Sequence, residues 1–224
     1  MNDRPAGPRP ARTAGDAEPT PVAPEPPGMQ ALFDDMYARS EDPYGTRARF
    51  YEQRKRDVLL ACLPRPRFRS CYEPGCGNGE LTVGLAARCD ALLSADFAPA
   101  ALRAARSRTE HLPNVTLARH ALPQDWPRAQ RFDLIVLSEV GYFLALPAVR
   151  EIAQCCASGL DEDGVLVACD WLPDFDTRAT STGAIHSELA AIGLVPLVTH
   201  AEDDFRLMVW SRDPRSVAQR EGIR

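Results

Sequence analysis

The sequence predicts an α/β fold: a seven-stranded, mostly parallel sheet with an antiparallel last strand and helices on both faces. Three observations predict it. From Phe68 onward, short apolar runs alternate with helix-patterned stretches, the mark of strand–helix–strand units. One run, Phe132–Ser138 (FDLIVLS), is apolar on both faces, as a covered parallel strand must be. The final two runs, 194–199 and Phe205–Ser211, are separated by a short turn that has no room for a crossover helix, so they pair antiparallel.

The elements follow in order. At 224 residues and 45% hydrophobic, the chain suffices for one sizeable core plus a tail. Residues 1–28 carry eight of the 20 prolines and almost no large apolar side chain, which predicts a disordered tail. Residues 29–63 form a helical lid, with Leu32, Phe33 and Met36 at helical spacing and a turn at Glu41-Asp42-Pro43-Tyr44-Gly45. A main domain spans 64–213, and 214–224 is a short tail. Within the domain, strand 68–73 leads to helix 81–89, with Asn78 placed to cap it. Strand 91–96 leads to helix 98–108, whose Pro99 sits in the first turn where a missing N–H costs little. Strands Val115–Arg119 and Phe132–Ser138 come next, then helix 146–158 closed by Gly159, strand 165–169 and a helix over 183–192.

Charge and cysteine usage narrow the function classes. A net charge of −5 argues against a nucleic-acid substrate, whose recognition rests on neutralising phosphates. The seven cysteines form no C-x-x-C pair and lack a histidine cluster, so they read as free thiols in a reducing compartment. Metal is not expected because, of the Asp-rich set a metal-dependent site would need after the fourth and fifth strands, only Asp170 is present. No apolar run approaches a membrane span, and the N-terminus lacks the order of a secretion signal; the cytoplasm is the expected location.

The chemistry concentrates in YEPGCGNGEL, residues 72–81. Three glycines, Gly75, Gly77 and Gly79, follow the first strand and open the first helix of the domain, which puts them at the carboxyl end of the sheet. A Walker A loop would need G-x-x-x-x-G-K-[ST]; here Glu80 stands five after Gly75 and no Lys-Ser/Thr follows. A dinucleotide loop would need its third glycine where Glu80 stands. The pattern is instead E-x-G-x-G-x-G from Glu73, and a carboxylate at the loop mouth repels phosphate and attracts an ammonium or sulfonium. Asp96 ends the second strand, 21 residues beyond Gly75, where a carboxylate accepts from both hydroxyls of a ribose; it is equally placed to cap the following helix.

The loop, its position and the strand order resemble class I methyltransferases, a Rossmann-like fold. That resemblance implies S-adenosyl-L-methionine as cofactor, held by Glu73, Gly75, Gly77, Gly79 and Asp96, with Ser138 at the rim nearest the transferred methyl. Where many relatives carry an Asp for the adenine amino group, this chain has Ala121, so Leu122, Trp126 or backbone groups are expected to hold the adenine. FDDMYARSEDPYG, YEQRK and WPRAQRFDLIVLSEVGYFL together resemble the nodulation protein S family, which N-methylates a deacetylated amino sugar. By that match Tyr44, Tyr51 and Arg54 cover the cofactor, Arg54 on its carboxylate; the other reading is a plain lid helix with Arg54 solvated. Glu139 is read either as a proton acceptor or as a structural carboxylate, and His186 either as a base or as a surface or capping residue. The expected partner is a small molecule, an amino sugar or another metabolite. An O-methyltransferase, an oxidoreductase and a silent binding domain are the alternatives.

Overall fold

The computed structural model describes residues 28–224, so all but the last residue of the expected proline-rich tail lies outside the described residues. Seven strands form one sheet: β1 Phe68–Pro74, β2 Cys89–Asp96, β3 Val115–Arg119, β4 Phe132–Ser138, β5 Leu160–Trp171, β6 Val195–Ala201 and β7 Phe205–Ser211. Their order is β3-β2-β1-β4-β5-β7-β6. All neighbours are parallel except that β7 runs antiparallel to both β5 and β6, as the short turn before it requires.

Helices α1 Met29–Arg39, α2 Phe50–Ala61, α3 Glu80–Ala86, α4 Pro99–Thr109, α5 Leu146–Gly159, α6 Thr182–Ala190 and α7 Val217–Arg220 surround the sheet. β4 shows why a parallel strand reads as a continuous apolar run. Its Leu134 and Val136 pack with Leu59 of α2 and Leu85 of α3 on one face, while Ile135 and Leu137 pack with Val149, Ile152 and Leu189 of α5 and α6 on the other. In α5, Val149, Ile152, Ala153 and Cys156 are buried at the i, i+3, i+4, i+7 spacing of one helix stripe.

Three local expectations are corrected. β5 starts at Leu160, not 165, because the chain enters it directly from α5: Leu160 is fully buried opposite Phe132, while Asp161 and Asp163 pair with Arg69 and Arg131 at the amino end of the strand and disguise it as a loop. Gly159 lies inside α5 and is not a left-handed cap. Asn78 does not cap α3. Left-handed Gly79 stands at that position, and the Asn78 amide instead donates to Glu41 O, Asp42 Oδ1 and Thr46 Oγ1, tying the turn before α2 to the glycine loop.

Candidate active site

The strand order reverses direction between β1 and β4, and a cleft of about 530 Å³ opens there, at the carboxyl ends of β1, β2 and β4. α1, α2 and the turn between them roof it through Phe33, Tyr37, Tyr44, Tyr51 and Lys55.

The glycine loop forms the floor. At Gly75, φ is +74°, and a Cβ would lie 2.1 Å from Val140 Cγ2, so the loop after β1 is interlocked with the turn after β4. The other two glycines yield to other neighbours: a Cβ on Gly77 would stand 2.7 Å from the Tyr37 hydroxyl, and one on Gly79 would stand 3.2 Å from Ala105 Cα of α4. Gly75 and Gly77 line the cleft, while Gly79 lies behind them between the lining residues Asn78 and Glu80, and its missing side chain lets α4 pack against the start of α3.

Two buried acids anchor this floor. Glu73 sits beneath the loop, where its Oε2 accepts from Ser94 Oγ at 2.6 Å and Thr82 Oγ1 at 2.7 Å. Asp96 accepts the Gly77 N–H on Oδ2 at 3.0 Å and the Ala98 N–H on Oδ1 at 2.9 Å, which leaves each oxygen a second acceptor site. Asp96 faces the cleft, and it does not cap α4: the N-cap is Ala98, without a side-chain cap, and at that helix start Asp96 accepts only the N–H of Ala98 itself. Burial pushes Glu73 up to about 7, against the pull of the Ser94 and Thr82 hydroxyls, and pushes Asp96 up to about 6, against its backbone donors.

Both folded-state values lie above the ordinary ones of 4.5 and 3.8. The stability these acids contribute is thus fully present below the ordinary values and lost as pH rises through about 6 and about 7. In urea denaturation at a series of pH values, the ligand-free protein is expected to lose stability from about pH 4 to about pH 7 relative to Glu73→Gln. Parallel profiles would show that Glu73 does not titrate there.

The wall after β4 is a charged cluster. Glu139 has φ of 61°, a left-handed conformation costing a non-glycine residue about 1–3 kcal/mol. It is held by three donors: Lys55 Nζ at 2.7 Å on Oε1, and the Tyr142 hydroxyl at 2.6 Å and Trp171 N–H at 3.1 Å on Oε2. Lys55 also lies 3.1 Å from Glu52. Burial pulls the Lys55 ammonium down, but the Glu139 and Glu52 carboxylates raise it beyond its ordinary value, so it stays charged. Tyr142, Phe143, Trp171 and Phe175 close this side, with Tyr142 and Phe175 edge to face at 5.1 Å.

The structure gathers Tyr44, Glu73, Gly75, Gly77, Asp96, Leu122, Ser138 and Glu139 around the cleft, along with Tyr51. Arg54 and His186 are outside it. Arg54 makes a bidentate pair with Glu202 on β6–β7, both contacts at 2.8 Å. On α2, Tyr51, Lys55 and Leu59 share one stripe, and Arg54 is rotated by one residue, about 100°, off that stripe. His186 is 3% exposed, bonded to Asp170 at 2.9 Å and packed against Trp210. It belongs to the core and is no catalytic base in this cleft. Trp126 is also core, edge-on to Tyr72 at 5.0 Å. At the end of β3 it is His120 that faces the cleft, its Nδ1 3.0 Å from the Tyr72 hydroxyl and its basicity lowered by burial.

A sequence pattern described as a methyltransferase domain matches residues 72–164, from β1 into β5. A crystal structure of a candidate methyltransferase from Pseudomonas syringae is 41% identical, with 73% of this chain and 99% of that one covered and a TM-score of 0.65. The chain belongs to the class I methyltransferase family. Among curated relatives, nodulation protein S from Sinorhizobium fredii is 30% identical over 130 residues, 57% of this chain and 60% of that protein. Nodulation protein S from Bradyrhizobium diazoefficiens is 30% identical over 105 residues, covering 46% and 50%. The chain thus spans about half to three-fifths of the curated relatives it matches. The methyltransferase fold is shared with the N-methyltransferase NodS from Bradyrhizobium japonicum WM9 in complex with S-adenosyl-L-homocysteine, at 23% identity, 83% and 98% coverage and a TM-score of 0.73.

Proposed function

We propose that the protein is an S-adenosyl-L-methionine-dependent methyltransferase that methylates the amine of a small hydroxylated molecule, an amino sugar being the class the nodulation protein S likeness favours. The observation that carries the cofactor reading is the pair of buried acids, Glu73 and Asp96, at the ends of neighbouring strands on either side of the glycine loop. Burying two carboxylates costs stability unless a ligand compensates them. Glu73 complements an ammonium and Asp96 a vicinal diol, and both features occur on one adenosyl sulfonium amino acid. Asp96 would hold the diol, Phe97, His120 and Leu122 would hold the base, and Gly75, Ser138 and Tyr44 would hold the methionine end.

The bound sulfonium supplies an activated methyl whose departure leaves a neutral thioether. The chain's own task is alignment, which contributes about 7–11 kcal/mol in well-oriented systems. Gly75 and Val140 fix the loop against the β4 turn, and the aromatic wall of Tyr142, Trp171 and Phe175 shapes the acceptor side.

Calorimetric titration with S-adenosyl-L-homocysteine against NAD tests the cofactor. Binding of the first alone is expected, and binding of NAD alone would sink the reading. Asp96→Ala removes an acceptor from two loop N–H groups and from the diol, so S-adenosyl-L-homocysteine affinity is expected to fall about tenfold or more. Unchanged affinity would remove Asp96 from the site. Mass spectrometry after incubation with methyl-labelled donor and candidate amines then assigns the acceptor; label on oxygen rather than nitrogen would replace the amine with a hydroxyl.

A further inference from the structure

We propose that Glu52, on the inner face of α2, binds the ammonium of the acceptor and takes its proton. This deepens the amine reading above and rests on it. Five carboxylates line the cleft: Glu52, Glu73, Glu80, Asp96 and Glu139. Glu73 and Asp96, bonded to the Ser94 and Thr82 hydroxyls and to the Gly77 and Ala98 amides, are the acids assigned above to the cofactor, and Glu80 pairs with Arg47 and Arg108. Glu139 is locked by Lys55, Tyr142 and the Trp171 amide. Glu52 differs. Among the described residues its sole side-chain partner is Lys55, at 3.1 Å, and its side chain is 18% exposed. It is enclosed enough for its charge to be felt and open enough to exchange a proton with water.

Charge and shape around Glu52 agree on a cation. Glu52 and Glu139 both pair with the Lys55 ammonium, and Arg49 and Arg56, which also line the cleft, make no ion pair with either among the described residues. Lys55 itself stays protonated and cannot act as the base. Lys55 Nζ lies over the Tyr51 ring at 5.2 Å, and Tyr51 and Trp171 stand edge to face at 5.8 Å, so the wall beside Glu52 already seats one ammonium against aromatic side chains. The Tyr51 hydroxyl, in the same lining, is buried with no hydrogen-bond partner. An ammonium has three N–H donors, enough for the Glu52 carboxylate and the Tyr51 oxygen together.

The proton balance is simple. The acceptor R–NH3+ transfers one proton to the Glu52 carboxylate, which becomes a carboxylic acid. The nitrogen keeps its electron pair as R–NH2, the form able to attack a methyl group. Glu52 then returns the proton to water at its exposed edge.

The test is calorimetry on the full chain saturated with S-adenosyl-L-homocysteine, titrated with glucosamine and with ethanolamine, each beside its neutral N-acetyl counterpart. The wild type is expected to bind the ammonium forms about tenfold tighter, the worth of one charged hydrogen bond. Glu52→Gln is expected to erase that preference without changing S-adenosyl-L-homocysteine affinity, and Glu52→Asp to recover part of it. Equal binding of charged and neutral forms by the wild type overturns the proposal, as does a preference that survives Glu52→Gln. A wild type that binds no S-adenosyl-L-homocysteine overturns the cofactor reading instead, and the two failures are therefore distinct.

Discussion

Gly75→Ala is expected to abolish measurable S-adenosyl-L-homocysteine binding and to lower folding stability by about 2–5 kcal/mol. Two penalties combine. The backbone at Gly75 has φ of +74°, where an L-residue with a Cβ is strained. The added carbon would also lie 2.1 Å from Val140 Cγ2, a distance no real contact sustains. Something must move, and the neighbours are poorly placed to give way. Val140 follows Glu139, itself at φ of 61° and fixed by three donors, so a shift of Val140 disturbs the charged wall as well as the floor. Urea denaturation measures the stability loss, and calorimetry the loss of binding. The double variant Gly75→Ala/Val140→Ala separates the causes: removing the clashing methyl should restore part of the stability, and the residue left over is the backbone cost. A single Gly75→Ala variant that binds as well as the wild type would mean that the loop and the turn after β4 are not interlocked.

The sheet was legible because its strands carry their burial in their composition. FDLIVLS is apolar on both faces because α2 and α3 cover one side and α5 and α6 the other. The cofactor side was legible because Glu73, the glycines and Asp96 are joined by short, rigid segments, so spacing in sequence becomes spacing in the cleft. The loop glycines carried a less direct message: two of the three make room for Tyr37 and for α4. The acceptor side was read less well because it depends on rotation and on long-range partners. Lys55 and Arg54 are adjacent cations, and one residue of helix rotation sends the first into the cleft and the second to Glu202. The buried stripe of Tyr51, Lys55 and Leu59 at i, i+4, i+8 was the available signal. His186 looked exposed at a helix start, and nothing local revealed that Asp170 on β5 would meet it inside the core. His120 was passed over for its neighbour Ala121, since the end of β3 decides which of the two turns inward.

Lys55→Met is expected to be the most damaging substitution of a charged residue in the chain, costing about 3–5 kcal/mol, the range for removing one partner of a buried ion pair. The Lys55 side chain is 8% exposed and is the ammonium that both Glu52 and Glu139 share. Without it, two carboxylates face each other across the acceptor side of the cleft, and Glu139 keeps its strained backbone while losing one of its three donors. Methionine fills a similar volume, so the loss reads out charge rather than packing. Turnover is expected to fall far more than S-adenosyl-L-homocysteine affinity, since Glu73, Gly77 and Asp96 are bonded without help from Lys55. The decisive comparison is Lys55→Met/Glu139→Gln. Removing both charges leaves Glu52 alone and partly exposed, so stability is expected to recover by most of the loss, while turnover stays low. Recovery of neither would show that Lys55 supports the roof of the cleft through its packing. Recovery of both would show that the charged wall takes no part in handling the acceptor, and that alignment by the glycine floor and the aromatic side chains is sufficient.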